Sequence, residues 1–133
     1  MTVRRYDPDT TPNAEDWLAL DEMERAHLVK TYHQAQRERL PNLPLHAMFH
    51  TVVENQLAEG YAPAMRAMAR LMAEGLSRHD AVHAIGSVVA SFIYHASKTD
   101  AAGLDGDPNA RIEADLDRLT AANWRQGGGG DAT

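Results

Sequence analysis

The stretch Pro44-Leu45-His46-Ala47-Met48-Phe49-His50-Thr51-Val52-Val53-Glu54-Asn55-Gln56-Leu57-Ala58-Glu59-Gly60 decides the fold. Leu45, Phe49, Val52, Val53 and Leu57 recur at three- and four-residue spacing, the period of one buried helix face. Proline opens the stretch and glycine closes it, the usual punctuation of a helix. Within it, His46 and His50 stand one turn apart, and Glu54 adds a third rung on the same side.

Similar segments lie on either side. Upstream, Thr11-Pro12 starts a helix that runs to about Arg39, with Glu15 and Asp16 in its first turn. Pro41 and Pro44 then interrupt the backbone ladder. Downstream, a third helix spans Pro63 to just before Gly75, with Met65, Met68, Leu71 and Met72 as its expected inner stripe. A fourth is capped by Ser77 and runs to about Ser97, burying Val82, Ile85, Val89, Phe92 and Ile93. After a loop from Thr99 to Asp107, a fifth starts at Asp107-Pro108, with Ile112, Leu116 and Leu119 inward and Trp124 near its end. No segment shows strand alternation. The expectation is all-α: one bundle-like domain of about five helices over residues 11–126, an irregular arm at 1–10 and a glycine-rich tail at 127–133.

Composition narrows the function. The 133 residues fit one domain, and 44% hydrophobic with 24% charged is ordinary for a globular chain. No apolar run approaches the ~20 residues of a membrane span, and no apolar stretch follows the N-terminal basic pair, so a cytoplasmic location is expected. A net charge of -6 and few aromatic residues argue against nucleic acid as a partner. The absence of cysteine excludes disulfides, thiolate zinc sites, iron–sulfur clusters and thiol nucleophiles. There is no phosphate-cradling glycine loop and no nucleophile elbow. Arg66 and Arg70 have the spacing of an anion clamp, although a solvated face explains them more simply.

What remains is histidine. Of seven, four form two pairs at helical spacing, His46/His50 and His79/His83. Each pair stacks its imidazoles on one face, the geometry of a His-x3-His metal motif. Both faces border an apolar stripe, so two neighbouring helices would gather four imidazoles and Glu54 at one semi-buried place. Such donors suit Zn²⁺, Fe²⁺, Mn²⁺ or Ni²⁺, with Glu54 a ligand or a general base. Glu22 and His33 share a face of the first helix and offer further ligands. Glu24 and His27 have the spacing of one Glu-x-x-His unit of a di-iron bundle, in a single copy. If the site keeps an open position, hydrolysis by an ion-activated water is the most economical reaction. The rival reading is a non-enzymatic helical interaction module. Its histidines would only brace helices, and its partner would be another protein or a second copy in a homo-oligomer. Clustered histidines would also serve a pH sensor.

From Trp17 to His95 the chain resembles an uncharacterised bacterial family of small helical proteins, a domain of unknown function. The resemblance is carried by Trp17-Leu18, Leu20-Asp21-Glu22, Glu24-Arg25 and Tyr32-His33. It continues in His46, His50 and Val53-Glu54-Asn55-Gln56-Leu57-Ala58, and in Gly75-Leu76, Arg78-His79-Asp80-Ala81 and His83-Ala84-Ile85-Gly86. It implies a shared fold and no activity. It also implies that Glu22, His33, His46, His50, Glu54, His79 and His83 belong together.

Overall fold

The structure, a computed structural model, describes residues 5–36, 43–98 and 107–126, with the side chains of 95–98 excepted. Among these residues it is all-helical: α1 (Ala14–Ala19), α2 (Glu22–Ala35), α3 (Leu43–Ala58), α4 (Ala62–Ala73), α5 (Arg78–Lys98), α6 (Pro108–Arg118) and α7 (Ala121–Gln126). The expected end of the first helix at Arg39, most of the Thr99–Asp107 loop and the glycine tail lie outside the described residues.

Seven helices stand where five were expected because two of the five are broken. Leu20 is extended, and the Asp21 side chain accepts the Glu24 backbone N–H, which starts a new helix. Leu119 is likewise extended. Thr120 and Asn123 then exchange hydrogen bonds between side chain and backbone, so a separate last helix begins. The opening cap also differs. Asn13, and not Thr11, accepts the Asp16 N–H at 3.0 Å. The other boundaries follow the sequence. Gly60 and Gly75 have φ of 74° and 103°, a backbone region that disfavours any side chain, and each lies just beyond a helix. Ser77 Oγ accepts the Asp80 N–H at 3.1 Å and caps α5.

Burial on α4 keeps Leu71 of the expected stripe, with Met68 packed against the core, and otherwise turns to the alanines. Ala64, Ala67 and Leu71 are buried, whereas Met65 and Met72 are exposed. The small alanine face suits the close packing of α4 on α5. On α5, Val82, Ile85 and Val89 are buried as expected, while Ile93 is exposed. Val82 and Ile85 join Val53, Leu71, Leu116 and Leu119 in one apolar cluster. A second cluster gathers Tyr6, Trp17, Leu20, Val29 and Ala47. Helix α3 contributes to both, through Val53 and Ala47.

Arg66 and Arg70 both face α6. Arg66 pairs with Glu113 and Asp117 of α6, each at 3.1 Å. Arg70 donates to the carbonyls of Leu116 and Leu119, satisfying the C-terminal end of α6. No helix among the described residues is long and apolar enough to cross a membrane.

Candidate metal centre

Helices α3 and α5 run antiparallel. Glu54 meets Arg78 at one end of their contact, His46 meets His83 further along, and Phe49 lies beside Gly86. This register carries the His46/His50 face onto the His79/His83 face. Helix α2 packs on α3 and adds His33.

Four imidazoles converge. His33, His46, His50 and His83 each offer one nitrogen, and these four nitrogens all lie within 4.8 Å of one another. Ring centroids are 4.5 Å apart for His33–His46, 4.7 Å for His33–His50, 4.8 Å for His46–His83 and 4.7 Å for His50–His83. The first three residues are buried and His83 is half-buried. His79 stands beside the group, with its ring 4.4 Å from His83 and 5.4 Å from His50. His79 Nε2 is buried with no hydrogen-bond partner among the described residues.

The donor set fits a small divalent ion. A tetrahedral zinc centre with ordinary zinc–nitrogen bonds holds its nitrogens roughly 3.3 Å apart. The His33 and His46 Nε2 atoms are 3.0 Å apart. The remaining nitrogens, bounded at 4.8 Å, need only small ring movements to draw in. His33 Nδ1 lies 2.8 Å from the Val29 carbonyl, which can only accept, so Nδ1 carries a proton, and in the neutral ring the lone pair is then on Nε2. Burial pushes the His50 pKa well below its ordinary value, and the neighbouring imidazoles His83, His33, His46 and His79 push it further. Its ring is therefore neutral at pH 7, the form that ligates.

Glu54 is not among these donors. It is 1% exposed and makes a two-pronged ion pair with Arg78, which is 5% exposed, at 2.7 and 2.8 Å. The expected role as ligand or base gives way to this pairing, because a buried carboxylate needs a counter-charge and the guanidinium supplies it. Arg78 also donates to the Pro8 carbonyl at 2.8 Å. Burial alone would lower the Arg78 pKa, but the hydrogen bonds and charges of Glu54 and Tyr6 outweigh it and the net direction is upward. The Tyr6 hydroxyl reaches Glu54 Oε2 at 2.5 Å and His50 Nδ1 at 3.0 Å. Burial raises the Tyr6 pKa well above its ordinary value, and the Glu54 charge raises it further.

Glu22 also stays apart. It is exposed and accepts from Asn55 Nδ2 at 3.1 Å. Asn55 in turn accepts from Trp17 and Arg25, so this polar group braces α1 and α2 against α3. Glu24 and His27 are both exposed, which separates them from any buried di-iron arrangement. Reading the sequence missed Tyr6 and Arg78. Tyr6 sits in an arm without periodicity, and Arg78 looks like an ordinary charge in the first turn of a helix. Only their proximity to Glu54 reveals them.

Compared with family models, with curated proteins and with solved structures, the chain matches none.

Proposed function

We propose that this protein binds a divalent transition-metal ion through His33, His46, His50 and His83. The observation that carries the reading is the convergence of four ring nitrogens, three of them on buried residues, from three helices. An all-imidazole set suits Zn²⁺ and Ni²⁺, and also Fe²⁺, better than Mn²⁺, which favours oxygen donors. Hydrolysis has less support than binding. Four protein nitrogens fill a tetrahedral shell, and Glu54, the carboxylate expected to act as base, is engaged by Arg78 and Tyr6.

The second reading is that the imidazoles only brace helices, and the close His33–His46 nitrogen pair favours it, since one ring can donate to the other. Elemental analysis of untagged protein separates the two. Near-stoichiometric zinc, nickel or iron, lost from the His33→Ala and His83→Ala variants, supports a metal centre. A wild-type chain that stays metal-free after dialysis against each ion leaves only the bracing role.

A further inference from the structure

Tyr6, Glu54 and Arg78 form a buried chain of hydrogen bonds whose protons can be counted. Both Glu54 oxygens accept from Arg78, at 2.7 and 2.8 Å, so Glu54 is a carboxylate and only accepts. The single hydroxyl proton of Tyr6 therefore points to Glu54 Oε2. The 3.0 Å contact between the Tyr6 oxygen and His50 Nδ1 must then be bridged by a proton on the imidazole. A neutral ring with hydrogen on Nδ1 has its lone pair on Nε2. His50 Nε2 is buried and has no hydrogen-bond partner among the described residues.

Resting on the reading of the histidine cluster as a metal centre, we propose that the N-terminal arm is part of that centre. Tyr6, held by Glu54 and Arg78, is a positioning residue that keeps His50 in the Nδ1–H form and presents its Nε2 lone pair to the ion. The arm is fixed for this task at three points. Arg78 holds the Pro8 carbonyl, the Asp9 side chain accepts the His79 N–H at 3.0 Å, and the Tyr6 ring packs against Trp17 and Tyr32. A partner on the far nitrogen of a ligating histidine fixes its tautomer and raises its basicity, and losing such a partner costs about 10- to 100-fold in metal affinity. His33 achieves the same with a backbone carbonyl, 2.8 Å away within its own helix. His50 instead depends on a residue 44 positions earlier in the chain.

Two measurements test this. Long-range proton–nitrogen spectra of the metal-free wild-type protein should show His50 protonated on Nδ1. In Tyr6→Phe, which keeps the ring and removes the hydroxyl, that signature should be lost. Zinc affinity, read by competition with a chromogenic chelator, should fall about 10- to 100-fold in Tyr6→Phe while circular dichroism shows both chains folded. Equal zinc affinity in the two folded proteins overturns the proposal and leaves the metal centre standing. A wild-type chain that binds none of zinc, nickel and iron overturns both. If Tyr6→Phe does not fold, the wild-type spectrum still decides, since His50 protonated on Nε2 contradicts the hydrogen-bond chain directly.

Discussion

Arg78 and Glu54 show what one buried ion pair demands of its neighbours. Removing the guanidinium in Arg78→Met leaves a carboxylate that is 1% exposed without its counter-charge. Breaking such a pair from one side costs about 3–5 kcal/mol. Urea denaturation should register a loss of that size, and a change under about 1 kcal/mol would show that water reaches the carboxylate. Tyr6 gives a second test at this scale. Its folded-state pKa is raised by burial and by Glu54, whereas in the unfolded chain the phenol ionises near pH 10. The unfolded state therefore loses its proton first. The contribution of Tyr6 to stability is complete below pH 10 and disappears as pH rises towards the folded value. Of the four tyrosines, Tyr6 should remain un-ionised in the ultraviolet titration until the chain unfolds. Four phenolates appearing together in a folded protein would contradict its burial.

The helices display both the reach and the limits of sequence patterns. Proline starts and glycine stops placed α3 and α4, and the Ser77 cap placed the start of α5, to within a residue or two, because these signals act on the local backbone. The breaks at Leu20 and Leu119 were not legible. The caps that restart the helices, Asp21 and Thr120, are polar residues that also occur inside helices, and only extended backbone before them makes them caps. The stripe of α4 misled only at Met65 and Met72, for a related reason. Alanine and methionine alternate along that helix, and the neighbour that can approach closest decides which of them is buried. Gly86 offers a prediction for α5. A methyl group built there would lie 3.8 Å from Val53 and 3.9 Å from Phe49, ordinary contact with no clash. Gly86→Ala should therefore stabilise the protein by about 0.5–1 kcal/mol, the helix preference of alanine over glycine. A lowered urea midpoint would mean that α3 cannot accommodate even this methyl.

At the scale of the whole molecule, an ion bound among three helices would tie together segments that are distant in sequence. Binding to the folded state alone adds stability by mass action, about 2.7 kcal/mol at a free concentration a hundred times the dissociation constant. Thermal melts should rise on addition of zinc and fall back with chelator, and the His83→Ala melt should respond to neither. An unchanged wild-type melt at saturating zinc would speak against a zinc site on the folded chain. The sequence by itself determined that the chain is helical, where most helices start and stop, and that His46/His50 and His79/His83 each share a face. All of these are consequences of local periodicity and backbone chemistry. Only the tertiary structure decided that His33 joins them, that Glu22 stays at the surface, and that Glu54 faces Arg78 and Tyr6. Those outcomes depend on which helix faces meet. A carboxylate drawn into a low-dielectric interior takes the nearest cation, whatever motif it appears to belong to.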